Sequence, residues 1–313
     1  MASKYYGLLL LTSFLWAGNF IVSKGLVDHA SAMTLTVLRW AIAVIVLFPI
    51  VWWKEKKILP SRKAILPLFL MGITGAALFN IFLFIGLENS TASNIGLLST
   101  LNIVSIALFS FIFLNEKINP LQIGSMVISL LGVLLVMSKG NLEYLLSLQF
   151  NSGDVWMLAA VGIWGIYSVC NKWASATTSP MMAILYSGVF GLIVLVPFNT
   201  TGLTVTNINP SFIGAILYTG VISTVVCMVL WNIGVQKIGA TTSGLFLNFN
   251  PIFTAMLAFF LLGEEITIVQ GIGSGIVILG SFLFTYFKAK QIPAKIVIEP
   301  KLQNEQTSRS HAS

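Results

Sequence analysis

Residues 86–122 read GLENSTASNIGLLSTLNIVSIALFSFIFLNEKINPLQ, and residues 234–270 read GVQKIGATTSGLFLNFNPIFTAMLAFFLLGEEITIVQ. Adding 148 to a residue number in the first stretch gives its partner in the second. Gly86 falls on Gly234, Ala92 on Ala240, Gly96 on Gly244 and Asn102 on Asn250, without a gap. Leu114 falls on Leu262, Glu116 on Glu264 and Gln122 on Gln270. The register holds far outside these stretches: Trp16 meets Trp164, Lys24 meets Lys172, Pro49 meets Pro197, Gly72 meets Gly220 and Gly132 meets Gly280. Single matches of common residues carry little. Two Trp, two Asn and two Glu in one register mark a duplicated chain, and a repeat decides the fold before other signals do.

The chain has 313 residues, 57% of them hydrophobic and 9% charged, and its mean hydropathy is +0.92. Soluble domains carry about 25% charged residues, so this is an all-α polytopic membrane protein in contact with the lipid bilayer. The formal charge of +7 does not indicate nucleic acid, because the basic residues flank hydrophobic spans, where they set topology and meet anionic headgroups. Cys170 and Cys227 fall inside apolar runs and read as small buried hydrophobes. The first run, Tyr5 to Val27, is long enough to span and aligns with an internal span, so it is retained as a helix.

A crossing helix needs about 20 apolar residues. Ten segments qualify: roughly 5–27, 33–53, 64–86, 93–114, 120–138, 153–173, 180–199, 211–235, 241–262 and 267–287. Residues 1–140 form the first five-helix repeat, 141–152 the connecting loop and 153–287 the second repeat. Residues 288–313 lose the apolar pattern and read as a disordered cytoplasmic tail. Of the 17 basic residues, all but Lys24, Arg39 and Lys139 fall on one side of this arrangement. That side is the cytoplasm, which places both termini inside. Because each repeat has an odd number of spans, the second enters the membrane from the opposite face. Such inverted repeats are a recurrent architecture of secondary transporters.

The candidate site follows from polar and aromatic residues deep in the spans. Asn102 and Asn250 lie near the midplane of spans four and nine, where a buried amide needs a partner. They either tie helices together or line a substrate cavity. Asn248 adds a further amide. Trp16 and Trp164 lie mid-span, away from the headgroup level that Trp prefers, and serve as packing or as cavity walls. Asn19, Asn80, Tyr167, Asn171, Tyr218, Trp231 and Asn232 complete an uncharged, aromatic and amide-rich set. Spans one, three, four, six, eight and nine are expected to line the cavity, with five and ten peripheral. Pro251 removes a backbone donor and predicts a kink in span nine, broken in symmetry by Ile103 in span four.

Charged residues in spans are costly. Arg39 either snorkels outward or pairs structurally, or it binds a carboxylate. Lys24 and Lys172 read as headgroup anchors. Glu116 and Glu264 are expected to cap the N-termini of the following helices. Glu88 is the lone carboxylate weighed for proton coupling. Gly271 and Gly275, with Gly124, Ser125, Ser129 and Gly132, read as close-packing faces that leave a homodimer contact open. With two histidines, no His/Cys cluster and no phosphate-binding loop, neither a metal, a cofactor nor an enzymatic activity is expected.

The sequences Phe113-Leu114-Asn115-Glu116 … Gln122-x-Gly124 … Gly132 and Leu261-Leu262-Gly263-Glu264 … Gln270 … Gly280 resemble the paired repeat of EamA-type permeases, in the drug/metabolite transporter superfamily. Trp16-Ala17-Gly18-Asn19-Phe20 … Lys24 and Leu38-Arg39 are similar to the same family. The resemblance implies ten helices in two inverted halves, a central cavity and no ATPase. It also implies a small-molecule substrate, since many members export amino acids or other metabolites from bacteria across the inner membrane. Relatives carry sugars, nucleotide-sugars or other solutes, so an importer or facilitator of sugars or drug-like compounds is the alternative. A membrane-embedded transferase or sensor is a more distant one. Asn115 departs from Gly263, and span four lacks a counterpart of Pro251.

Overall fold

The computed structural model describes residues 3–56, 59–115, 118–137, 151–198, 202–238 and 246–291. Among these there is helix and no strand. The order is α1 (Ser3–Leu26), α2 (Ala32–Glu55), α3 (Arg62–Met71), a π-helical stretch Gly72–Leu78, α4 (Phe79–Asn89), α5 (Ala92–Leu98), a 3₁₀ turn Ser99–Leu101, α6 (Asn102–Leu114) and α7 (Pro120–Met137). The second half has α8 (Ser152–Ser175), α9 (Pro180–Phe198), α10 (Pro210–Leu217), a second π-helical stretch Tyr218–Val226, α11 (Cys227–Ile238), α12 (Asn250–Leu262) and α13 (Ile268–Gln291). Among the described residues, eight helices are long and apolar enough to cross a membrane, and Pro120–Val136 and Asn250–Leu262 are shorter apolar helices. Large apolar side chains such as Trp53, Phe260 and Ile268 are exposed around the bundle, as expected where the surrounding solvent is hydrocarbon.

Short polar residues define the helix starts. Ser31, Thr91, Asn151 and Asn209 each accept a backbone N–H of the first turn with their side-chain oxygen. The duplication recurs in the helix breaks. Gly72–Leu78 and Tyr218–Val226 are π-helical at corresponding places. Helices α6 and α12 have 13 residues each and end on left-handed residues, Asn115 (φ 53°) and Gly263 (φ 66°). Asn is among the side chains that tolerate this conformation, so Asn115 preserves the cap that Gly263 makes.

The expected kink at Pro251 takes another form. The chain leaves the helix at Asn248–Phe249, and Pro251 sits in the first turn of α12. There its missing N–H costs nothing. Span four changes geometry at the equivalent place through Ser99–Leu101 without any proline. The break is therefore shared by both halves, contrary to the expected asymmetry.

Helix α1 packs on α11 and α12 of the second half, and α8 packs on α4 and α6 of the first. The halves thus exchange their first helices across the pseudo-twofold axis. Helices α7 and α13 pack on each other, antiparallel: Ser129 faces Val277 and Ser281, while Gly132 faces Gly273. Gly132, Gly273 and Gly280 form this seam, whereas a side chain at Gly124, Gly271 or Gly275 would meet nothing within 4 Å. The pair Gly271/Gly275 is therefore not part of the internal packing face.

The tail expected at 288–313 begins in helix, since α13 runs to Gln291. Residues 288–291 are good helix formers by type. The rest of the tail lies outside the described residues, as do Glu116, Lys139, most of the 141–152 loop and the start of span nine.

Candidate functional site

Two π-helical stretches face the centre of the bundle. A π turn leaves backbone carbonyls without their usual partner, and such turns recur at functional sites. In the first, Asn80 Nδ2 donates to Gly75 O (2.8 Å) and Ala76 O (3.1 Å). In the second, Thr224 Oγ1 donates to Thr219 O at 2.8 Å. Glycine permits close approach at both. A Cβ at Gly75 would lie 2.3 Å from the Tyr167 ring, and one at Gly220 would lie 2.8 Å from Ile42.

Between these stretches lies a cavity of about 290 Å³. It brings together Trp16, Asn19, Asn80, Asn102, Trp164, Tyr167, Trp231 and Asn250 of the sequence-derived set, with Asn171. Asn248 is not among the lining residues; it is 5% exposed and buried elsewhere. The turn at Asn248–Phe249 separates it from Leu247 and Asn250, which do line the cavity. Tyr218 also lies off the cavity, donating from its hydroxyl to Leu15 O at 2.8 Å. The side chain of Asn232 is outside the described residues. Helices α2 and α9 contribute Arg39, Trp40, Pro180 and Ile184, so spans two and seven join the six expected ones.

The aromatic residues form two groups. Trp16 and Trp231 have ring centroids 5.6 Å apart, and Trp16 Nε1 donates to Ser223 O at 3.1 Å. Trp164 sits 4.6 Å from Phe79 and 4.8 Å from Tyr167. Each group joins a helix of one half to the other half. The Oδ1 atoms of Asn19, Asn80, Asn102 and Asn250 are buried and accept no hydrogen bond from the described residues. Acceptors of this kind are normally satisfied by a ligand or by water.

Arg39 does not snorkel. It is 8% exposed, and it donates from Nε to Thr224 Oγ1 (3.0 Å) and from Nη2 to Ser223 Oγ (3.3 Å). Neither hydroxyl stood out in the sequence. Only the π turn brings both to the guanidinium.

The cavity is unequal at its two ends. At one end its lining reaches Asn171, near the end of α8, and Pro180, the first residue of α9. At the other it stops at Phe20 and Leu83, six residues short of the helix ends Leu26 and Asn89. That far end is clasped. Lys24 Nζ donates to Leu87 O and Ser90 O, capping α4 rather than anchoring to headgroups. Ser90 Oγ donates to Asp154 Oδ1, and Asp154 is 3% exposed. Glu264 accepts from the backbone N–H of Ala92 (2.8 Å) and Ser93 (3.2 Å). It thus caps α5 across the halves and not the helix that follows it. Asp154 went unnoticed in the sequence; its signal was an acidic residue in the first turn of an apolar helix. Glu88 is exposed, and Lys172 is exposed at the end of α8.

A second groove of about 320 Å³ lies between α1 and α10 and has no charged side chain. Of the aromatic and amide candidates read from the sequence it contains Tyr218 alone, whereas the central cavity gathers nine, so the central cavity is the candidate site.

The model of the EamA-like transporter family matches residues 3–138 and again 151–286. The chain belongs to the EamA-like transporter family. Its two matched stretches begin and end 148 residues apart, the register of the duplication. This EamA-like protein is 30% identical over 287 residues to an uncharacterized transporter of Archaeoglobus fulgidus, covering 91% of this chain and 98% of that one. It is 29% identical over 279 residues to an uncharacterized transporter of Bacillus subtilis, covering 88% and 91%. An S-adenosylmethionine/S-adenosylhomocysteine transporter of Chlamydia muridarum is 29% identical over 147 residues, covering 47% of this chain and 43% of that one. A solved crystal structure superposes with a TM-score of 0.63 at 17% identity, covering 91% of this chain and 98% of the other, a likeness of fold. The EamA-like chain is a multi-pass membrane transporter of small solutes.

Proposed function

We propose that this protein is a secondary, non-ATP-driven exporter of amino acids or related metabolites, working by alternating access. The observation that carries this reading is the cavity, walled by both halves and reaching only one end of the bundle. Two inverted halves make such a shape reversible, because exchanging their conformations opens the other end. In this reading the membrane is a bacterial inner membrane, and the gathering of basic residues on one side supports a cytoplasmic α8–α9 end with both termini inside. The described conformation then loads from the cytoplasm, and the clasp at the α4–α5 corner opens for release. Trp16, Trp231, Trp164 and Tyr167 offer aromatic faces to the solute. Asn19, Asn80, Asn102 and Asn250 offer amides. The relative named for S-adenosylmethionine and S-adenosylhomocysteine supports the choice, since both compounds are amino-acid derivatives.

The test is efflux from proteoliposomes loaded with single amino acids, sugars, nucleosides or cationic drugs, without ATP. Amino-acid efflux that falls in Trp164→Ala and Asn250→Ala supports the reading. No flux of any compound, with cysteine accessibility unchanged at both faces, sinks it. Flux of sugars or drugs alone keeps the transporter and discards the substrate class.

A further inference from the structure

Among the described residues, Arg39 is the only formally charged one lining the cavity, and no carboxylate lines it. Its guanidinium keeps its charge at any working pH. Two of its nitrogens are spent on neutral hydroxyls, Thr224 at 3.0 Å and Ser223 at 3.3 Å. The third, Nη1, is buried and makes no hydrogen bond among the described residues. Hydroxyl dipoles do not neutralise a charge, and a buried cation without an anion is costly. Such a residue is either retained for a ligand or lost to a neutral side chain.

The hydroxyls orient Arg39 without competing for its charge. Thr224 is committed as a donor to Thr219 O at 2.8 Å, which turns its lone pairs toward Nε. The guanidinium is thus held by a π turn whose geometry depends on Gly220 lying against α2. The other polar groups of the cavity differ in kind. The amide oxygens of Asn19, Asn80, Asn102 and Asn250 accept, and the rings around Trp16 and Trp164 present π faces. Acceptors and π faces suit an ammonium group or an apolar side chain, and among the described lining residues Arg39 alone brings a positive charge to an anion.

We propose that Arg39 is the specificity-determining residue of the cavity, pairing with a carboxylate on the transported solute. The inference deepens the transport reading and rests on it. One guanidinium supplies one charge, which a carboxylate neutralises and a phosphate monoester exceeds.

The test compares L-phenylalanine, L-leucine, L-methionine and L-glutamine, each with its α-amide, as stabilisers of the purified protein against heat. Glucose, uridine, glucose 6-phosphate and tetramethylammonium complete the panel. The proposal expects at least one acid to raise the melting temperature, with its amide binding about tenfold or more weaker, because a polar site left unpaired rejects the neutral analogue. Arg39→Gln is expected to erase that difference, and Arg39→Lys to keep part of it. A structural role alone would lower the stability of Arg39→Gln without changing the acid-to-amide ratio. If Arg39→Gln does not fold, Arg39→Lys decides: a lowered acid-to-amide ratio supports the proposal and an unchanged ratio overturns it. Equal binding of acid and amide, a preference that survives in Arg39→Gln, or stabilisation by carboxylate-free compounds alone or by none of the panel overturns the proposal. Flux of a carboxylate-free solute in proteoliposomes removes Arg39 from this role and leaves the transporter reading standing.

Discussion

Ser129 Oγ donates to the main-chain carbonyl of Val277 at 3.3 Å, and these two residues are counterparts, 148 positions apart. A residue touches its own repeat mate only where the pseudo-twofold axis passes. The α7–α13 seam therefore sits on that axis, outside the cavity.

The seam predicts an asymmetry among glycines. A Cβ at Gly280 would lie 2.4 Å from Ser129 Oγ and 2.6 Å from its backbone N, whereas one at Gly275 meets nothing. Gly280→Ala is expected to cost about 1–3 kcal/mol through overpacking. Gly275→Ala is expected to be neutral or slightly stabilising, as Ala favours helix over Gly. Thermal unfolding of the two variants in one detergent checks this.

The clasp around Leu87–Ser93 joins α1, α8 and the end of α12. Asp154→Asn and Glu264→Gln weaken it without altering size. Both are expected to raise the population open at the α4–α5 end, by about tenfold for each 1.4 kcal/mol lost. Labelling rates of Asn19→Cys in a cysteine-free background, measured with an impermeant reagent from that face, report the shift. An unchanged rate in both variants would separate the clasp from access.

Trp16 and Trp164 are predicted to act as walls in both halves. Replacing either by Ala removes a large aromatic surface and is expected to weaken solute binding about tenfold or more. Replacement by Phe retains part of it. Titration of the solute that stabilises the wild type, repeated on each variant, gives the ratio.

Asn80 satisfies two carbonyls of the first π stretch. Asn80→Leu leaves them buried without that donor, which costs about 1–3 kcal/mol. The expected outcome is a lowered melting temperature together with weakened binding, because the stretch shapes the cavity. Lowered stability with intact binding would confine Asn80 to a structural role.

The pairing of Asn102 with Asn250 and of Trp16 with Trp164 was legible in the sequence because a duplicated register survives as residue identity. That these residues could meet in one cavity was legible too, as spans of similar length put equivalent residues at equivalent depths. Asn248 lies off the lining, between Leu247 and Asn250 in the chain, because the turn at Asn248–Phe249 resets the face, and that turn is not visible in the apolar run. Lys24 and Glu264 were assigned to headgroups and to the next helix, their nearest options along the chain. Their actual partners are backbone groups on other helices, which no local pattern reveals.

By itself the sequence determined a membrane chain, duplicated at an interval of 148 residues and inverted by the odd number of spans in each copy. Hydropathy and register are written residue by residue, and lipid permits few alternatives to a helix. Only the tertiary structure decided where the helices break into π turns and how Arg39 turns inward to Ser223 and Thr224. It alone decided which end of the cavity is closed. Those features depend on contacts between segments far apart in the chain, where a few hydrogen bonds choose among arrangements that hydrophobic burial leaves nearly equal.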